Sequence, residues 1–247
     1  MDEIIFRWAN SIVAQSSKLF FRSLDSAEFS WFIAATGLVG MWFAGKSNTQ
    51  TVYIQHLGRA IKDRSVIRAH VLVMFGCMVA SFVFARGLQH FFPRQRPMAV
   101  AQMQIPIDPV IWEQIKASIS TQGSFPSDHA VMWFVMATGL LWLNRFVGIT
   151  ALMFGVIMSI TRIGTGFHWA SDIICGAALG VFVTISAFWL LSKVKILEHL
   201  VNRLVGVFDS YPVIAYVLGF LIVMDFSRKF SGLFGLLATL LGKSISH

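Results

Sequence analysis

His168 and Asp172 stand four residues apart at the end of the run Thr161-Arg162-Ile163-Gly164-Thr165-Gly166-Phe167-His168-Trp169-Ala170-Ser171-Asp172. On a helix that spacing stacks two side chains on one face. A carboxylate bonded to one imidazole nitrogen fixes the tautomer and leaves the other nitrogen free to attack an electrophile such as phosphorus. Gly164 and Gly166 let the backbone turn tightly between Arg162 and His168. A plain polar helix end is the alternative, but an ionisable pair beside long apolar runs is costly unless it is used.

Two further clusters carry compatible chemistry. In Phe92-Pro93-Arg94-Gln95-Arg96-Pro97 two guanidiniums follow an apolar run, and prolines stiffen the turn. Guanidinium is the side chain best matched to phosphate oxygens, although arginines at a span end also serve as headgroup anchors. In Gly123-Ser124-Phe125-Pro126-Ser127-Asp128-His129 a serine precedes a new apolar run. Ser127 suits an N-cap, and a helix amino terminus offers free N–H groups and a positive dipole end to an anion. His129, in the first turn, is placed to give a proton to a leaving oxygen, with an ordinary cap beside an interfacial histidine as the plainer reading.

The elements that must position these residues follow from composition. Of the 247 residues, 56% are hydrophobic and only 13% charged, against about a quarter charged in soluble chains. Mean hydropathy is +0.69. Apolar runs approaching the ~20 residues needed to cross a bilayer recur, so an all-α, polytopic bundle is expected. The expected spans are 28–45, 69–92, 129–143, 147–163, 171–191 and 211–226. An interfacial amphipathic helix is expected within 1–25, from Ile4, Ile5, Trp8, Ile12 and Val13. A short surface helix is predicted at 109–118 and a second interfacial helix at 230–241. Lys46, Arg59, Lys62, Arg64 and Arg68 face one acid, Asp63, which places that loop in the cytoplasm and all three clusters on the opposite side. The chain reads as a single domain, with catalytic motifs over 89–172 and a final span and tail over 193–247.

The net charge of +8 is spread over short loops, where it sets topology, so nucleic acid is not an expected partner. Cys77 and Cys175 lie in apolar runs without metal or disulfide spacing. Asp2 and Glu3 replace the basic start of a signal peptide. A transporter would hold its ionisable groups near the midplane, whereas here they gather at one edge.

In order and spacing the clusters resemble the type 2 phosphatidic acid phosphatase superfamily, whose pattern is Lys-x6-Arg-Pro, Pro-Ser-Gly-His and Ser-Arg-x5-His-x3-Asp. The matching positions are Arg96-Pro97, Pro126-Ser127-x-His129 and Arg162-x5-His168-x3-Asp172. The resemblance implies a six-span bundle with an outward active site. It implies His168 as nucleophile, Asp172 as its orienting carboxylate and His129 as acid, with Arg96, Arg162 and Ser127 on the phosphoryl oxygens. It implies no metal and no other cofactor, and the sequence offers no carboxylate cluster for magnesium. The partners implied are a lipid phosphate substrate and membrane lipids; oligomeric state stays open.

Three positions depart from the pattern. Gln89 stands where the family has lysine, with Arg94 and then Arg86 as candidate replacements for the lost charge. Thr161 replaces serine. Asp128 replaces glycine, and its carboxylate is expected to face away or cap the helix, because a second anion repels phosphate. The Ser-Phe-Pro-Ser-Asp-His form is similar to the bacterial branch acting on undecaprenyl pyrophosphate, which implies an inner-membrane enzyme of cell envelope biogenesis. Phosphatidylglycerophosphate, phosphatidic acid or lipid A phosphatases and lipid-to-lipid phosphotransferases share these catalytic residues and remain alternatives.

Overall fold

The structure, a computed structural model, describes residues 1–43, 64–119 and 123–227. Among them are ten helices and no strand: α1 (Asp2–Val13), α2 (Ser17–Phe43), α3 (Arg64–Phe91), α4 (Pro97–Val100), α5 (Pro109–Ile119), α6 (Asp128–Leu143), α7 (Arg145–Gly164), α8 (Ala170–Lys193), α9 (Lys195–Ser210) and α10 (Pro212–Ser227). The chain is an all-α membrane bundle. Exposed Phe29, Phe32, Phe84, Met153, Ile157, Phe182 and Trp189 surround it, a surface suited to lipid rather than water.

The central helix is α6, apolar on every face beyond its first turn and buried along its length except where Phe134, Thr138 and a few neighbours meet the rim. It packs on α3, α7 and α8. Small residues permit the closest approach: a Cβ at Gly176 would lie 2.6 Å from the Ser127 carbonyl oxygen, and one at Gly180 2.5 Å from that of Val131. Such small-residue faces let helices in lipid gain packing where the hydrophobic effect gives none. Asn144 ends α6 and starts α7, its Oδ1 accepting from Phe146 N at 2.9 Å and Val147 N at 3.3 Å. At the far end of the bundle from Ser127, Arg68 joins α3 to α2 and α9 by donating to the Trp42 carbonyl at 3.2 Å and to Asp209 Oδ1 at 2.6 Å.

By length and composition, three helices of the described residues can cross a membrane, Ser65–Phe91, Arg145–Gly164 and Ala170–Lys193. The pair Lys195–Ser210 and Pro212–Ile222 adds a fourth if counted as one span bent by 105°. The expected six is therefore larger than this set: the apolar part of α2 is confined to its second half, and α6 has 16 residues. The basic stretch 46–63 and the expected helix at 230–241 lie outside the described residues.

The amino-terminal segment differs from its expected outline. The helix breaks after Val13, and Ser17 to Asp25 form the first turns of α2. Phe6, Ala9 and Val13 turn into the protein, against α7 and α8, while Ile4, Trp8 and Ile12 stay exposed on the other face. Thus α1 is docked on the bundle as well as amphipathic towards its surroundings.

Candidate active site

Backbone hydrogen bonds stitch the three clusters together at one end of the bundle. Ser124 N donates to the Arg94 carbonyl at 2.9 Å, Met98 N to that of Gly166 at 2.9 Å, and Ser127 N to that of Asp172 at 3.1 Å. Arg96, the residue before the Pro97 that opens α4, donates to the carbonyls of Phe167 at 2.9 Å and Gly123 at 3.2 Å. Gly166 has φ +80 and would bring a Cβ within 3.1 Å of Met98, so glycine is needed where the chain leaves α7 for His168.

His168 is 1% exposed. Its Nδ1 lies 2.8 Å from the Ser124 carbonyl oxygen. A carbonyl only accepts, so Nδ1 carries the proton and Nε2 the lone pair. Nε2 is buried without a hydrogen-bond partner among the described residues. Burial, then the positive charges of Arg96 and Arg162, push the imidazole well below its ordinary value of 6.5, which keeps Nε2 unprotonated. The guanidinium of Arg162 lies 3.9 Å from the centre of the Phe167 ring.

Asp172 is not directly bonded to His168, contrary to the pairing expected from their spacing: Oδ2 is 4.0 Å from Nδ1. The reason is local. Asp172 is the third residue of α8, and its Oδ2 turns back to accept from Trp169 N at 2.8 Å, while Oδ1 accepts from Arg94 at 2.7 Å. The free N–H at the helix start and a cation claim the carboxylate first.

Ser127 caps α6, its hydroxyl accepting from Ala130 N at 3.4 Å. Asp128 does not face away. Its Oδ1 accepts from His129 N at 2.9 Å, sits 3.0 Å from His129 Nδ1 and lies 4.0 Å from His168 Nε2. Its Oδ2 accepts from Arg86 at 2.9 Å, and this cation is what lets the carboxylate stay inside. On His129 the other nitrogen, Nε2, accepts from Trp31 Nε1 at 2.8 Å. An indole only donates, so the proton of the neutral ring is on Nδ1, toward Asp128.

Gln89 and Arg94 are both engaged by protein partners. Gln89 Nε2 donates to the Pro126 carbonyl at 2.8 Å and its Oε1 accepts from Arg86 at 3.1 Å. Arg94 is taken up by Asp172, Ser171 and Asp2. Arg86 is tied to Asp128 and Gln89.

Asp128, His129 and His168 also form the one group of described residues with metal-ligand geometry, donor atoms within 4.8 Å of one another. The donors fit a resident metal poorly, because both nitrogens of His129 and both oxygens of Asp128 are already bonded and two guanidiniums act on His168. The sequence reading missed Trp31, Asp2 and the Ser124 carbonyl, none of which carries a local signal.

The PAP2 superfamily profile matches residues 70–196, a stretch that contains all three clusters. The chain belongs to the PAP2 superfamily. PAP2 members are phosphatases, and this chain is a membrane protein of that lipid phosphatase family. It is 23% identical over 197 residues to the bacitracin transport permease protein BcrC of Bacillus licheniformis, covering 80% of this chain and 84% of that one. It is also 29% identical over 93 residues to the lipid A 1-diphosphate synthase of Escherichia coli (strain K12), covering 37% of this chain and 36% of that one. No solved structure gives a significant match.

Proposed function

We propose that this PAP2 protein hydrolyses undecaprenyl pyrophosphate to undecaprenyl phosphate through a phosphohistidine on His168, at the outward face of a bacterial inner membrane and without a metal. The observation that carries the catalytic part is the buried lone pair on His168 Nε2, fixed by the Nδ1 bond to Ser124 and flanked by Arg96 and Arg162.

In the first half-reaction the Nε2 lone pair forms a bond to the terminal phosphorus. The P–O bond to the lipid monophosphate breaks, its electron pair stays on that oxygen, and the oxygen takes a proton from protonated His129. Asp128 stabilises the charged form of His129, whose second proton ends the Trp31 bond. In the second half-reaction water attacks phosphorus and gives a proton to His129. The P–N bond breaks, its electrons return to Nε2, and inorganic phosphate leaves. Arg96, Arg162 and the Ser127 hydroxyl would hold the phosphoryl oxygens.

The diphosphate assignment rests on the Ser-Phe-Pro-Ser-Asp-His form, the guanidiniums at the site and a relative whose name describes a lipid diphosphate product. The transport wording in the other relative's name agrees less well with ionisable groups gathered at one end of the bundle. The test is catalytic efficiency of the purified protein on undecaprenyl pyrophosphate, phosphatidylglycerophosphate, phosphatidic acid and lipid A in one detergent. Preference for the polyprenyl substrate is expected. A tenfold or greater preference for a glycerolipid or lipid A overturns the substrate and leaves the lipid phosphatase. Appearance of label on a second lipid instead of in free phosphate identifies a phosphotransferase.

A further inference from the structure

We infer that Asp2, on the amino-terminal helix, is a positioning residue of the catalytic site that acts on Asp172 through Arg94. This rests on the reading of Asp172 as a carboxylate that supports His168.

At the start of α8 Asp172 Oδ2 takes the Trp169 N–H, but the Trp169 side chain has no oxygen to offer the N–H of Ser171. Asp2 supplies one from another helix. Its Oδ1 accepts from Ser171 N at 3.1 Å, and its Oδ2 accepts from the Ser171 hydroxyl at 2.5 Å and from Arg94 Nη2 at 2.8 Å. Arg94 Nη1 in turn donates to the Ser171 hydroxyl at 2.6 Å and to Asp172 Oδ1 at 2.7 Å. Burial alone would raise the Asp2 carboxyl; the Ser171 hydroxyl and Arg94 outweigh it and hold it below the ordinary carboxylate value.

Two consequences follow. Arg94 is a long side chain at 36% exposure, and Asp2 is what restricts it to the one arrangement that reaches Asp172. A free guanidinium at a membrane surface would turn to lipid phosphates. In addition, Arg94 is shared between two carboxylates, so Asp172 is not fully neutralised. It keeps negative charge to set against the cationic imidazole that forms as phosphorus is transferred.

The same helix is anchored independently at its other end. Asn10 donates to the Gly164 carbonyl at 2.9 Å and accepts from Gln104 N at 2.7 Å. Docking and positioning can therefore be separated by substitution.

The experiment compares kcat and KM of the full chain, tagged at the carboxyl terminus, on undecaprenyl pyrophosphate and dioctanoyl phosphatidic acid. Asp2→Ala and Asp2→Asn are expected to lower kcat by about tenfold or more, the scale of one charge-assisted hydrogen bond, with KM little changed. Asp2→Glu should recover much of the loss, and Asp2→Ala should cost nothing further in an Arg94→Ala background. Asn10→Ala should lower the melting temperature and leave kcat near normal. Unchanged kcat in Asp2→Ala, or an Asn10→Ala variant as slow as Asp2→Ala, overturns the positioning role while wild-type turnover leaves the phosphatase reading standing. Absence of wild-type turnover on both substrates overturns that reading and this inference with it.

Discussion

The indole N–H of Trp31 donates to Nε2 of His129 over 2.8 Å, joining residues 98 apart in sequence. With Asp128 on Nδ1, the imidazole is gripped at both nitrogens. Trp31 N–H needs the lone pair on Nε2 and Asp128 faces the proton on Nδ1, so the two neighbours together fix one tautomer and one orientation of His129.

Trp31→Phe keeps the edge-on contact of the rings, 5.1 Å between centroids, and removes the donor. The lost hydrogen bond is worth about 1 kcal/mol. Turnover is expected to fall by about fivefold, through kcat rather than KM, since the bond orients the neutral His129 that takes the proton of water in the second half-reaction and does not touch the phosphate. A change confined to KM would place Trp31 at the substrate instead.

The direct test of the nucleophile is replacement. His168→Ala and Asp172→Ala are expected to lose nearly all turnover, because one removes the attacking nitrogen and the other removes the acceptor of Trp169 N and one of the two carboxylates that hold Arg94 beside it. Vanadate should inhibit by resembling five-coordinate phosphorus, and chelators should have no effect. Full activity in His168→Ala, or a strict need for magnesium, contradicts the scheme.

What was legible in the sequence was what local rules decide. Ser127 before an apolar run announced a cap, Pro109 opened a short helix, and the order of the arginine and histidine motifs carried the family. The pairings across the bundle were not legible. Asp172 four residues after His168 reads as its partner, yet helix-start N–H groups and Arg94 compete for the same oxygens. Asp128 reads as misplaced beside a phosphate until Arg86, from another helix, is seen on its second oxygen. Arg94 reads as a phosphate ligand because nothing local shows that Asp2, 92 residues earlier, claims it.

Acid should affect this site less than an ordinary histidine allows. Nε2 of His168 must be unprotonated to attack, and burial, with Arg96 and Arg162, depresses its protonation well below 6.5. A depressed value means the proton binds only at lower pH, so the attacking form persists as pH falls through 6.5. The acid limb of kcat/KM that reports this nitrogen in the free enzyme is expected below that value. A limb at or above 6.5 that coincides with the titration of His168 followed by NMR would show the nitrogen to be better hydrated than its burial indicates.

The last prediction concerns charge balance between Arg86 and Asp128. The carboxylate oxygen Oδ1 is 4.0 Å from the attacking nitrogen of His168, and the opposite oxygen is held by Arg86 at 2.9 Å. Incoming phosphate is anionic and needs the space between Nε2 and Asp128, so the carboxylate must draw back toward Arg86 and remain neutralised as it does. In Arg86→Ala the charge stays without that partner, at a site where repulsion acts directly on the phosphoryl group. The expected cost is on the order of 2 to 4 kcal/mol of transition-state stabilisation, as for other groups that set charge at a reacting centre. Removing the carboxylate as well should restore part of it. The double variant Arg86→Ala, Asp128→Gly is therefore expected to exceed Arg86→Ala alone in kcat/KM, although Asp128→Gly by itself lowers turnover by loosening His129. Such a reversal is a coupling that independent contributions cannot produce. If the double variant is slower than either single one by the product of their effects, Arg86 serves the substrate directly and Asp128 is not its reason for being there.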